Sequence, residues 1–306
     1  MIVLLTGGGG QLGRCLLDRM PSTWRVAAPA QHELDIVNEQ AVQAYVADLR
    51  PALIINAAAY TAVDNAEDDV QAVYDVNAHG AESLARAAAR SGAGLLHVST
   101  DYVFDGGSDR PYVETDAAMP LNVYGHSKRA GEMAVLQALP QAIVVRSSWL
   151  FSEYGNNFVR TMLRLVVNGA EQVQVVDDQL GFPTYAGDLA DVLIALAGRM
   201  PNVAAGLYHY CGAGNDTTPV SWCEFARAIF DCADRVSPCL QLPVLLPIDT
   251  SAYPTAARRP MFSALSCEKL AAVGLTGQQT LPPLLSRTWR VALQRVVCQL
   301  LQQQRA

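Results

Sequence analysis

The chain has 306 residues, 51% of them hydrophobic and 17% charged, with a formal net charge of −7 at pH 7. That length holds one large domain or two smaller ones with ample core, and an acidic balance with both signs interspersed argues against a nucleic-acid groove or an anionic membrane as main partner. No apolar run approaches the roughly 18 residues that span a bilayer, and "MIVLLTGGGG" lacks a basic leader, so it reads as a first β-strand and a cytoplasmic protein is expected.

In chain order, short apolar runs alternate with amphipathic ones. Strands are predicted at 2–6, 25–29, 52–58, 94–100 and 142–148, with helices at 11–20, 38–50, 69–91 and 124–139. Such βα alternation indicates an α/β fold of Rossmann type, a doubly wound parallel sheet. A strand at 173–178 and a helix at 186–198 are expected to join that sheet. The last third reads differently. "GLYHYCG" is a strand candidate, "TPVSWCEFARAIFDCA" a helix with proline near its start, 238–260 a proline-dotted segment, and a final helix falls within 281–303. The expected organisation is a dinucleotide-binding domain from 1–149 plus about 172–200, and a smaller, partly interleaved substrate domain from about 150–171 and 201–306.

Seven cysteines, at 15, 211, 223, 232, 239, 267 and 298, contain no C-x-x-C pair. Their scatter fits reduced, packed thiols rather than a metal finger or a disulfide framework.

The glycine run "LLTGGGGQLGR" follows the first strand and opens the first helix. Gly7, Gly10 and Gly13 give G-x-x-G-x-x-G, and Gly8 with Gly10 and Gly13 gives G-x-G-x-x-G. Glycine there permits a tight turn and lets backbone approach a pyrophosphate at a helix N-terminus, so dinucleotide binding is expected. The usual carboxylate at the end of the second strand is missing: "RVAAPAQHELDI" puts Pro29, Ala30 and Gln31 there. Glu33 and Asp35 follow late, and Arg14 could meet a 2′-phosphate. NADH and NADPH both remain open.

Only two lysines occur, Lys128 and Lys269. Lys128 stands four residues after Tyr124, on the same face of a helix. An ammonium so placed could lower a phenol's pKa and ready it as a general acid, although an ordinary surface pair reads the same way. "NAAAYTAVD" at 56–64 and "HVSTDYVFDGG" at 97–107 follow successive strands. Ligands sit beyond the carboxyl ends of parallel strands, so both converge on the glycine loop.

In this order, "GGGGQLG", "NAAAYTAVDNAE", "STDYVFDG", "NVYGHSK", "GNNFVRTMLRL", "VDDQLGFPT" and "SAYPTAARRP" resemble the extended short-chain dehydrogenases/reductases. Within that family they are most similar to the branch that reduces the 4-keto group of dTDP-4-dehydro-β-L-rhamnose to give dTDP-β-L-rhamnose, using NADPH or NADH. The resemblance runs from residue 7 to about 260. It implies Tyr124 as proton donor, Lys128 on the cofactor ribose and lowering the tyrosine pKa, and Thr100 as a hydrogen-bond donor to the substrate oxygen. It places the cofactor against Gly7, Gly10, Gln11, Leu12 and Gly13, its adenine end near Asp35 and Ile36, and its nicotinamide path along Ala59, Tyr60, Thr61 and Val98. Asn77 would help order the site, or equally be a buried structural residue.

Substrate contacts are implied for Thr100, Asp101, Trp149, Asn157 and Arg259. Asp101 could instead be a strand-end turn carboxylate, and Trp149 a core residue. Arg259, rather than Arg258, is the choice for the diphosphate, since a guanidinium grips two oxygens at once. Asn156, Gln179, Gly181, Pro183 and Thr184 look like a loop beside the nucleotide sugar. Some family members bind Mg²⁺ at a dimer contact through a glutamate just after the glycine loop. Arg14-Cys15 stands there and offers no hard oxygen, so no metal is expected, and a homodimer is left open. A non-catalytic dinucleotide-binding regulatory subunit, or a reductase or epimerase for another nucleotide sugar, are the alternatives.

Overall fold

The computed structural model describes residues 1–214, 216, 218–273 and 284–303. Six strands form one parallel sheet: β1 (Ile2–Thr6), β2 (Arg25–Ala27), β3 (Leu53–Asn56), β4 (Gly94–Thr100), β5 (Ile143–Ser147) and β10 (Gly206–His209), in the order β2-β1-β3-β4-β5-β10. Period-two alternation decides which helices cover which face. Val3, Leu5, Ile55 and Val145 enter one core with α1 (Gln11–Arg19) and α7 (Ala186–Ala197). Leu4, Ile54, Leu95 and Val144 enter the other, with α2 (Glu39–Leu49), α4 (Ala81–Ser91) and α5 (Val123–Ala138). Both faces are buried, which is why these strands read as continuous apolar runs.

The strand pairing departs from expectation. The strand expected at 173–178 is β7 (Gln172–Val176), and it does not join the parallel sheet; it pairs with β12 (Val244–Ile248). The sixth sheet strand is β10, from the "GLYH" run of the last third. Short apolar runs fix strand character but not partner, because pairing depends on distant edges. The helix at 186–198 does cover the sheet, as expected.

The remaining elements build a second core. There α6 (Phe158–Val167), α8 (Trp222–Val236) and the last helix (Trp289–Gln303) pack around Phe225, Phe151 and Trp289. The start of α8 differs from expectation. Ser221 caps it with Glu224 in a reciprocal capping box, so Pro219 lies before the helix rather than in its first turn. Of the range 281–303 expected to contain the final helix, residues 281–283 lie outside the described residues. The long helix expected at 69–91 is one run in three parts. α3 (Val70–Tyr74) widens through π-helical turns at Asp75–Gly80 before α4, and Asn77 sits in those turns.

Candidate active site

The carboxyl ends of β1, β3, β4 and β5 open on a cleft of about 600 Å³ lined on one side by Gly10, Gln11 and Leu12 and on the other by Thr100, Tyr124, Lys128, Trp149 and Trp222. Its dinucleotide side is built by close approach. Gly7 has φ +76°, and a Cβ there would lie 2.5 Å from the Ala57 carbonyl carbon, while a Cβ on Gly13 would collide with the Gly7 carbonyl oxygen. Only glycine tolerates both demands. Asn38, Asn122, Asn157 and Ser221 cap their helices with side chains, whereas α1 has Gly10 at its N-cap and no side-chain cap. Its first-turn N–H groups are therefore left to meet an anion, with the positive end of the helix dipole behind them. This donor set fits a dinucleotide pyrophosphate.

The reactive side is set by α5. Asn122 caps it, accepting from Gly125 N–H at 2.7 Å, and donates to the Arg258 carbonyl at 2.8 Å. Side chains at 125 and 131 would collide with the carbonyls of Tyr102 and Asn77, so Gly125 lets the helix lie against the loop after β4 and Gly131 lets it lie against the π-helical turns at Asp75–Gly80. Tyr124, in its first turn, is buried and meets Tyr102 edge-on at 5.7 Å between ring centroids. Asn77 ties the arrangement together: its amide donates to the Ser127 hydroxyl at 3.0 Å and to the Tyr60 carbonyl at 3.1 Å, and its oxygen accepts from Tyr60 N–H at 2.9 Å. Ser127 in turn donates to the Tyr124 carbonyl at 2.7 Å. Asn77 is thus buried, with its bonds going to Tyr60 and to Ser127 on α5.

Electrostatics here depart from the sequence expectation. Burial, the largest influence, pushes the Tyr124 phenol up to about 12, against a lowering by its hydrogen bond with Thr100. The expected lowering by Lys128 does not prevail. Lys128 is itself brought down to about 8 by burial, opposed by the Glu132 carboxylate, and it donates to the Val98 carbonyl at 2.7 Å. Glu132 is locked to Arg146 by two bonds of 2.7 Å. Asp101 is buried and raised to about 6 by desolvation, although Ser263 and Thr100 hydrogen bonds lower it. Its Oδ1 accepts from Thr100 at 3.1 Å, and its Oδ2 has no hydrogen-bond partner among the described residues.

The family model described as RmlD substrate binding domain matches residues 1–302. The chain belongs to the dTDP-4-dehydrorhamnose reductase family. It is 47% identical over 273 residues to the dTDP-4-dehydrorhamnose reductase of Aggregatibacter actinomycetemcomitans, covering 88% of this chain and 91% of that one. It is 39% identical over 307 residues to that of Escherichia coli strain K12, covering 98% of each. The crystal structure of the Bacillus anthracis dTDP-4-dehydrorhamnose reductase in complex with NADP superposes with a TM-score of 0.87 at 36% identity, covering 97% of this chain and 99% of that one.

Against this family's pattern, the structure brings Gly10, Gln11, Leu12, Ala59, Thr61, Val98, Thr100, Asp101, Tyr124, Lys128 and Trp149 to one cleft. Gly7, Gly13 and Tyr60 are not among its lining: the two glycines allow the close backbone approach of the turn behind it, and the Tyr60 backbone is bonded to Asn77. Asp35 and Ile36 do not line it. Asp35 accepts from Val37 N–H at 3.1 Å, and Ile36 packs where a Gly80 side chain would be. Arg14 lies over the Tyr154 ring, 4.4 Å from its centroid, and Cys15 is buried and pushed up to about 12. Asn157 is turned to capping α6, while its neighbour Asn156 lines the cleft.

Arg259 lies in an adjoining cavity of about 280 Å³ with Gln179, Thr255 and Trp222, its guanidinium held by Asp64 at 2.7 and 3.1 Å. Gly181 packs under the Trp149 ring, and Pro183 and Thr184 support Gly212. The sequence reading missed Tyr102 and Trp222. Tyr102 was legible inside "STDYVF". Trp222 carried no local signal, since its place comes from stacking on Trp149 at 3.6 Å and 7°.

Proposed function

We propose that the protein reduces the C4 carbonyl of dTDP-4-dehydro-β-L-rhamnose with NADPH or NADH, yielding dTDP-β-L-rhamnose. One observation carries this: the Thr100 hydroxyl, the Tyr124 phenol and the Lys128 ammonium share a single cleft with the uncapped turn at Gly10–Leu12. A reduced nicotinamide held beside them supplies the hydride. With its pKa near 12, Tyr124 is protonated at neutral pH, the form a reduction needs from its general acid. As negative charge develops on the carbonyl oxygen, the phenol passes its proton to it and Thr100 stabilises it by hydrogen bonding. Lys128, with one donor on Val98, would hold the cofactor ribose with the others. Trp149 and Trp222 would face the sugar, and Arg259, pre-aligned by Asp64, the diphosphate. We assign the dinucleotide to the sheet-bearing part, β10 included, and the sugar nucleotide to the core around α6 and α8. All seven cysteines are free thiols, in keeping with a reducing, cytoplasmic location.

The test mixes purified protein with the keto-sugar nucleotide and NADPH or NADH and follows nicotinamide absorbance. Oxidation is expected, and Tyr124→Phe should abolish it while cofactor binding, read by titration, survives. No oxidation with either cofactor, or one stoichiometric protein partner in place of turnover, would move the assignment to a regulatory subunit.

A further inference from the structure

Cys211 follows β10 at the sheet edge, and Cys267 precedes the short helix Glu268–Ala271. Fifty-six residues apart in sequence, their Sγ atoms lie 3.7 Å from each other. A disulfide has S–S near 2.05 Å, so an approach of roughly 1.7 Å would complete one. The two segments are already registered. Tyr112 N–H donates to the Ala264 carbonyl and Ser266 N–H to the Tyr112 carbonyl, each at 2.8 Å, and the buried His209 ring contacts that same Tyr112 carbonyl at 3.1 Å.

The two sulfurs are not equivalent. Cys211 is buried, and its thiol donates to the Leu265 carbonyl at 3.3 Å. Cys267 is half-buried, and its sulfur accepts the Cys211 backbone N–H at 3.3 Å. A backbone N–H aimed at the Cys267 sulfur favours its thiolate. The mutual contact shifts the Cys267 thiol down and the Cys211 thiol up.

We propose that Cys267 and Cys211 are a modification site, forming a reversible disulfide when the protein meets a hydroperoxide. The Cys267 thiolate attacks one peroxide oxygen; the O–O bond breaks, leaving a sulfenic acid and hydroxide. The Cys211 sulfur then attacks the Cys267 sulfur as it loses its proton. The S–O bond breaks, and the departing hydroxide takes up a proton as water. Two thiols and one hydrogen peroxide give one disulfide and two waters. The bond ties the sheet edge to the segment carrying Ser263, whose hydroxyl accepts from Trp149 at 3.2 Å in the cleft wall.

The test treats the full chain with stoichiometric hydrogen peroxide, alkylates the remaining thiols and maps the peptides by mass spectrometry. A Cys211–Cys267 cross-linked pair, two hydrogens lighter than its separate peptides and opened by dithiothreitol, is expected. Cys211→Ser should stop at a sulfenic acid on Cys267, trapped by dimedone, and Cys267→Ser should yield neither. Cys239 is exposed and reports simple accessibility. Oxidation of Cys239 while Cys211 and Cys267 both stay alkylatable would overturn the proposal, as would pairing of Cys267 with any other cysteine.

Discussion

Asn157 donates its side-chain amide to Gln11 Oε1 at 2.9 Å, joining the first turn of α1 to the cap of α6 across 146 residues of sequence. Gln11 also accepts from Ser152 at 3.1 Å and donates to the Leu150 carbonyl at 3.3 Å. The glycine turn at the start of α1 and the loop that leaves Trp149 are therefore one hydrogen-bonded unit.

Asn157→Asp isolates that link. An aspartate keeps the cap on Arg160 N–H, because the two residues cap equally well. It replaces the donor with a carboxylate oxygen facing Gln11 Oε1 and the Ser152 and Tyr154 carbonyls. Losing such bonds costs about 1–3 kcal/mol. Steady-state kinetics should show KM raised for both cofactor and sugar nucleotide. Unaltered KM values for both would show that the link carries no coupling.

Lys128 is brought down to about 8 and Tyr124 pushed up to about 12 in the ligand-free protein, so the alkaline fall in kcat/KM of the reduction should centre near pH 8 and belong to the lysine. Lys128→Arg keeps a cation to above pH 12. Its pH profile should lose the limb near pH 8, at a lower plateau because the guanidinium does not fit the same donor geometry. A limb that stays near pH 8 in the variant would assign it to another group.

Asp101 has a folded pKa of about 6 against about 3.9 unfolded. The stabilisation by its neutral form is present below about pH 4 and is lost as pH rises through 6, an effect of roughly 3 kcal/mol. Asp101→Asn should therefore raise Tm at pH 7.5 more than at pH 4, while impairing turnover. Equal Tm changes at both pH values would show that the carboxylate is not held in a desolvated state.

Trp222 lines both the main cleft and the Arg259 cavity. Removing it by Trp222→Ala strips the ring stacked on Trp149 and should weaken sugar-nucleotide binding roughly tenfold, ~1.4 kcal/mol. NADPH binding should hold, since the dinucleotide turn is untouched. Calorimetry with dTDP separates the two, and a selective loss of NADPH affinity would contradict this placement. Trp149 has φ +46°, a left-handed backbone costing about 1–3 kcal/mol in a non-glycine residue. The stacking on Trp222 and the bond to Ser263 hold it there.

The amino-acid sequence by itself determined what depends on neighbours a few residues apart. The glycine spacing after the first strand, the helix carrying Tyr124 and Lys128, and the apolar alternation of the sheet were all legible, because turn geometry and helical and strand periodicity are local. Only the tertiary structure decided what depends on desolvation and distant pairing. A nearby ammonium suggested a lowered phenol pKa, yet the burial of Tyr124 raises it. Asn157 resembled a substrate ligand, yet its amide is taken by Gln11. The strand at 172–176 matched the sheet pattern but pairs with 244–248, and the sheet's last strand comes from 206–209. Strand partners, stacked rings and the loss of water around a charge are set by residues dozens of positions away, and no short stretch of sequence contains them.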